Sequence, residues 1–282
     1  MLNNVKIYSK GVLALMSMMD LEPTKKCSKF GKLNRTLMML VSFGLAILVW
    51  TLISSIPGVG SIIVNPLRFG KVFIKELMSG RLLVNIEVSL VRIFLGFFLG
   101  LIAAIPVAFL LGWYKTFRMI VEPWIQFLRT IPPIALIPLV IVAFGIGTLA
   151  KVAVIFFAVF LVMVITIYQG VTNVDLTLIK AAKVLGAKDK DVFFEVVIPA
   201  SFPYILVGIR LGLAAALTTL VAAELTGASK GLGNMIQEAS LYFNMDVVIL
   251  GIVIIGIIGF IFDKLVLWIE KKLTGWQEVR KV

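Results

Sequence analysis

Few residues in this chain could make or break a covalent bond. It has no histidine and one cysteine, Cys27, so the commonest general base and metal ligand is missing and no intrachain disulfide can form. Glu87, Glu122, Glu224 and Asp263 lie singly near the ends of apolar runs and do not pair as acid and base. The chemistry left is electrostatic. Arg129 and Arg210 each fall inside an apolar run, seven residues after Glu122 and eight after Phe202, about 10–12 Å from the cytoplasmic start of their helices at 1.5 Å per residue. A cation at such a depth costs about 2.5–3.5 kcal/mol on insertion scales and generally faces a protein interior or an aqueous cavity. Two guanidiniums at matching depth could attract an anion; snorkelling to headgroups or pairing with a neighbouring subunit is the structural alternative. Glu224 could gate a path, pair with a basic residue or cap the membrane edge. Pro132 and Pro133, with Pro138 beyond, interrupt the run that holds Arg129. Each removes a backbone donor that lipid cannot replace, so the broken backbone should face protein or a water-filled path, or serve as a packing kink.

The elements that position these residues are read from composition. Of 282 residues 60% are hydrophobic and only 15% charged, against roughly 25% charged in soluble domains. Runs of about 20 apolar residues, enough to cross a bilayer, occur at Leu37–Ile56, Ile93–Leu111, Trp124–Phe144, Leu149–Tyr168, Phe202–Ala223 and Val247–Trp268. The expected fold is therefore an all-α integral membrane protein with six transmembrane helices. The net charge of +12 does not indicate nucleic acid, because its placement follows topology. With both termini in the cytoplasm, 18 Lys and Arg fall on the cytoplasmic side and six outside, as the positive-inside rule requires. The expected organisation is a cytoplasmic tail over 1–36, a first span with an outer interfacial segment over 37–92, a core over 93–268 containing a cytoplasmic loop at 171–201, and a tail over 269–282. The short apolar stretch Gly11–Met19 fits neither a signal peptide nor a span, and its methionines allow a later translation start.

Three connecting segments carry helical signals. Val72, Phe73, Leu77 and Met78, with charges between them and Gly80 after them, predict an amphipathic helix at the outer interface. Gly231-Leu232-Gly233 lacks a preceding strand and a Gly-Lys-Ser/Thr context, so it is no phosphate loop; it predicts a turn opening a helix from Asn234 to about Leu241. In KAAKVLGAKDKDVFFEVVIP (180–199), Asp175 is the expected N-cap of a helix that Gly186 stops in the left-handed conformation. Asp189 is expected to cap a second helix that Pro199 ends. Two short helices at a glycine elbow are unstable alone and need a partner surface, either lipid headgroups or protein.

This segment resembles the cytoplasmic loop of the membrane permeases of binding-protein-dependent ABC importers. Their motif runs Glu-Ala-Ala, three residues, Gly, nine residues, an aliphatic, any residue and Leu-Pro or similar. Ala181, Ala182, Gly186, Val196, Ile198 and Pro199 stand at those places without a gap, and Lys180 replaces the usual Glu. SLVRIFLGFFLG, RTIPPIALIPLVIVAFGIG, PASFPYILVGIRLGLAAAL, AAELTGASKGLG and GIIGFIFDKLVLWIEKKL extend the resemblance over roughly 60–276, to the nitrate, sulfonate and taurine branch.

The resemblance implies a type I importer permease with its coupling-helix loop at 171–201, in the plasma (inner) membrane of a bacterium or archaeon. It implies a second permease subunit, in the simplest case a homodimer, a separate cytoplasmic ATPase that binds ATP and Mg, and an extracytoplasmic solute-binding protein. It implies no catalytic residue, metal or cofactor on this chain. Residues 180–182, 186, 196, 198 and 199 become candidates for coupling to the ATPase; Arg129, Pro132, Pro133, Arg210 and Glu224 are candidates for the translocation path. The implied cargo is a small anion such as an aliphatic sulfonate, taurine or nitrate, with a vitamin precursor or other small heterocycle as the alternative. An ion-coupled secondary transporter would carry intramembrane carboxylates, and the acids here sit at span ends.

Overall fold

The computed structural model describes residues 35–56 and 64–273. The chain divides into two units, Met1–Ile53 and Ser54–Val282. The Gly11–Met19 stretch, most of the expected N-terminal tail and the end of the C-terminal tail lie outside the described residues. Helix α1, Arg35–Ser54, is apolar from Leu40 onward.

The second unit begins with α2, Pro66–Met78, and α3, Arg81–Trp113. The expected boundary between 92 and 93 falls inside α3, because the charged start of this helix is amphipathic rather than a loop. Next come α4, Lys115–Leu128, a 3-10 turn at Pro133–Leu136, and α5, Ile137–Phe144. Helix α6 is Thr148–Thr172, α7 Leu176–Val184, α8 Asp189–Leu225, α9 Leu232–Leu241 and α10 Met245–Leu273. Among the described residues α3, α6, α8 and α10 are long and apolar enough to cross a bilayer.

The expected span Trp124–Phe144 is not one helix: α4 and α5 meet at 87°. Thr130 and Ile131 donate to carbonyls three residues back, at Phe127 and Leu128, and the consecutive prolines then prevent the helix from resuming in line. Pro138 causes no further break because it lies in the first turn of α5, where its missing N–H is tolerated.

Helix α6 is the centre of the bundle. Ile155, Val159, Met163, Ile167 and Val171 recur every fourth residue and are buried, forming one ridge. Small residues face this ridge on both sides. Gly96, Gly100, Ala104, Ala108 and Gly112 have the same spacing on α3, and Gly208, Gly212 and Ala216 on α8. A Cβ on Gly100 would lie 2.8 Å from Val159 Cγ1, and one on Gly212 2.9 Å from Met163 Cγ. In lipid, helix association rests on close packing, so stripes of small residues let the α3 and α8 backbones approach the ridge.

Helix α2 has the predicted amphipathic pattern, but its apolar face packs on protein. Phe69, Val72 and Phe73 cover a core of Leu82, Leu232, Met235 and Leu250, whereas Met78 is exposed.

Candidate functional site

The elbow starts at an N-cap, as the sequence predicts. The Asp175 carboxylate accepts from the Thr177 amide at 2.8 Å, and this bond holds the Asp175 carboxyl below its ordinary range. Helix α7 ends in a closed glycine turn. Ala187 N–H donates to the Ala182 carbonyl at 3.0 Å, Gly186 N–H donates to Lys183 O at 3.0 Å, and Gly186 has φ +87°. This pair of bonds satisfies carbonyls that the helix end would otherwise orphan. The interval from Ala182 to Gly186 thus has a geometric meaning: the alanine accepts the bond that closes the turn.

Beyond the turn two expectations are corrected. The N-cap of α8 is Lys188, whose amide donates to Asp191 Oδ2 at 3.0 Å; Asp189 is the first helical residue and faces Lys183 Nζ at 3.2 Å. Pro199 does not end the helix. Residues Val192–Val197 form a π-helical segment and the chain continues as helix through Pro199 and Pro203 to Leu225. The wider turn changes the hydrogen-bond register ahead of Pro199, which lies within the first two residues of the α-helical part, where a missing N–H is accommodated. The second arm of the elbow is therefore the end of a spanning helix.

That arm is fastened inward and bare outward. Val192 and Val197 are buried in the bundle core, with Val196 and Ile198 packed against it. The Phe193 ring lies 5.0 Å from Trp113 and 5.8 Å from Phe109 of α3. Nearby, Arg118 donates to the carbonyls of Leu111 and Gly112 at 2.9 and 2.7 Å, capping the end of α3, and stacks over Tyr168. At the turn itself Val184 and Leu185 are 87% and 88% exposed; Lys180 and Ala181 are exposed and Ala182 is half-buried. An apolar tip rimmed by lysines is suited to insertion into a complementary groove.

The two arginines that the sequence singled out line separate depressions among the described residues. Arg129 caps the end of α4 at the bend and lines a depression of about 320 Å³ with Pro133, Val162 and Thr166. Among the described residues it makes no ion pair. Arg210 lies in a separate depression of about 450 Å³ between α8 and α10, and its Nε donates to Asp263 Oδ1 at 2.6 Å. Pro132 precedes the 3-10 turn at the α4–α5 bend.

Glu224 sits at the end of α8 remote from the elbow and is fully buried. Its carboxylate accepts from Arg92 Nη1 at 2.6 Å, Ser89 Oγ at 2.9 Å and Gly233 N–H at 2.9 Å. Asn85 Oδ1 accepts from Gly231 N–H and Ser89 Oγ from Leu232 N–H, each at 2.8 Å. Three successive amides at the start of α9 are thereby capped by side chains of α3 and α8. Buried Lys151, one of the six basic residues that the sequence reading counted on the outer side, donates to the carbonyls of Ile146 and Gly227. Asn85, Ser89, Arg92 and Lys151 were not among the sequence candidates; an Asn, a Ser and an Arg spaced along one face of α3 were the available signal.

Residues 96–275 match the family model described as binding-protein-dependent transport system inner membrane component. The chain belongs to this permease family. A probable ABC transporter permease protein of Brucella abortus (strain 2308) is 46% identical over 239 residues, spanning 85% of this permease and 95% of the relative. The taurine transport system permease protein TauC of Escherichia coli (strain K12) is 38% identical, with 71% and 72% covered. A putative aliphatic sulfonates transport permease protein, SsuC of Bacillus subtilis (strain 168), is 34% identical, with 82% and 84% covered. Among solved structures, an amino acid ABC transporter superposes with TM-score 0.61 at 17% identity, covering 71% of this permease and 97% of that chain. The MetNI methionine ABC transporter in an inward-facing conformation gives 0.55 at 21% identity, with 68% and 97% covered. These two likenesses concern the fold.

Proposed function

We propose that this permease forms the membrane path of an ATP-driven importer for a small oxyanion, with an aliphatic sulfonate, taurine or nitrate as cargo. A separate ATPase binds ATP and Mg and receives the elbow; a solute receptor delivers cargo on the opposite side; a second copy of the permease completes the path. The elbow and α9 lie at opposite ends of α8, and the balance of basic residues assigns the elbow to the cytoplasm.

The observation that carries this reading is the elbow. Its exposed Val184 and Leu185 belong to a turn closed by its own backbone, and its second arm is continuous with a 37-residue helix. A partner that shifts the tip therefore moves a spanning helix. No bond is made or broken on this chain: nucleotide-driven closure of the ATPases draws the elbows together, and the bundles rock between inward-open and outward-open states. The anionic cargo is supported by the cargo named for the relatives and by Arg129, whose charge has no partner in its depression, unlike that of Arg210.

The test is uptake of radiolabelled taurine, a linear alkanesulfonate and nitrate into proteoliposomes holding the permease, its ATPase and its receptor. Uptake of one of these, dependent on ATP, is expected. Arg129→Gln should lower the rate at least fivefold with assembly intact, and Arg210→Gln should lower it less. Uptake of none of the three, in a complex that hydrolyses ATP, overturns the cargo assignment.

A further inference from the structure

Helix α8 is clamped to α3 at both ends. At the elbow end Phe193 lies against Phe109 and Trp113; at the far end Glu224 holds Arg92 and Ser89. Along α8 the two clamps are about 46 Å apart at 1.5 Å per residue, close to the full length of this helix. The far clamp also holds a third element. Gly231, Leu232 and Gly233 donate their amides to Asn85, Ser89 and Glu224, and Arg92 Nη1 donates to Lys230 O at 2.7 Å. An exposed tie, Arg81 to Glu238 at 2.9 Å, joins α3 to α9 a second time.

We infer that Glu224, Arg92 and Ser89 are positioning residues of a transmission, in which the buried cluster fixes α9 to the outer ends of α3 and α8 so that a displacement of the elbow re-orients α9. The inference rests on the importer reading above. Its physical basis is the source of the caps. A loop that satisfied its own amides could stay behind when the bundle moves, whereas one whose amides are held by buried side chains of two spanning helices must travel with them or leave polar groups unpaired in a dry site. Beyond the clamp α9 ends in a bare tip, with Leu241, Tyr242 and Phe243 68%, 79% and 84% exposed and Phe243 at φ +54°. The re-oriented surface therefore faces outward from the bundle.

The experiment places spin labels at Lys190→Cys, by the elbow, and at Tyr242→Cys, on the α9 tip, in separate Cys27→Ser permeases assembled with their ATPase in nanodiscs. ATP, Mg and vanadate then trap the nucleotide-closed state. Labels at both positions are expected to respond in the otherwise unmodified complex. Ser89→Ala removes the hydroxyl that bridges Leu232 and Glu224, and the double variant Arg92→Gln/Glu224→Gln removes both charges together. In each, the Tyr242 response should fall at least fivefold while the Lys190 response stays within twofold. If the double variant does not assemble, Ser89→Ala decides alone. A Tyr242 response above half its normal size in the latch variants overturns the proposal, as does an equal fall at both positions, which marks a merely structural role. A response at Lys190 with none at Tyr242 in the unmodified complex overturns the transmission alone; no response at Lys190 overturns the importer reading and the proposal with it.

Discussion

Two turns with left-handed glycines bracket α8, and they are satisfied in opposite ways. At Gly186 the closing bonds run to Ala182 and Lys183, a few residues back in the same helix. At Gly231, with φ +128°, the amides go to side chains more than a hundred residues away on α3. A Cβ on Gly186 would meet nothing within 4 Å, whereas one on Gly231 would land on the Glu224 carboxylate. The first turn is a self-contained joint that leaves its surface free for a partner. The second is a weld, whose glycine is demanded by what it touches as much as by its backbone.

The contrast is broken most forcefully at the weld. Gly231→Ala should push Glu224 off Arg92, and disrupting a buried pair while leaving the cation in place costs about 3–5 kcal/mol. Membrane abundance and thermal stability in detergent should both fall sharply; a variant as stable as the parent would show that the cluster relaxes freely. At the joint, Gly186→Val places a β-branched residue in a conformation disfavoured by about 1–2 kcal/mol. Abundance should stay near normal while co-purification of the ATPase drops, and full retention of the ATPase together with normal transport would show that the turn's angle does not matter. The smallest effect is expected at Asp175. Its folded pKa is depressed by the Thr177 amide and hydroxyl, so the cap's contribution is present above the unfolded pKa and is lost as pH falls through the folded value, below the usual carboxylate range. Exchange of the Thr177 amide should therefore be unchanged by pH around neutrality beyond its intrinsic dependence, and Asp175→Ala should accelerate it.

The same contrast explains which features were legible in the sequence. The N-cap, the glycine stop and the helix between them depend on residues within one or two turns, and their spacing announced them. The α2 and α9 helices were legible for the same reason, with Gly80 and Gly231 marking their limits. Two local readings missed because a neighbour altered the outcome: the helix begins one residue early, with Asp191 accepting from the amide of the N-cap Lys188, and the π turn carries the helix past Pro199. The break at Pro132 and Pro133 was visible, but not its 87° angle, which depends on what α4 and α5 pack against. The Glu224 cluster was hidden because its members come from three stretches of chain, and no periodicity links Ser89 to Leu232. The small-residue stripes were missed although their signal is local: Gly96, Gly100, Ala104, Ala108 and Gly112 repeat every four residues, a spacing that indicates close helix approach in lipid.

The π segment at Val192–Val197 bears on how the aim of the elbow depends on chain length. An α-helix turns by about 100° per residue, and a π turn takes up one residue more than an α turn. Deleting one residue from this segment would let ordinary helix form throughout, with nearly the same composition and all of its hydrogen bonds. Because the deleted residue is the one the wide turn absorbs, Val184 and Leu185 would keep their azimuth; a residue deleted from the regular helix beyond Pro199 has no such turn to absorb it and would rotate the elbow by about 100° relative to the bundle half of α8. The direction in which this permease presents its tip is thus set by a count of residues along the regular helix, independently of which residues form the tip.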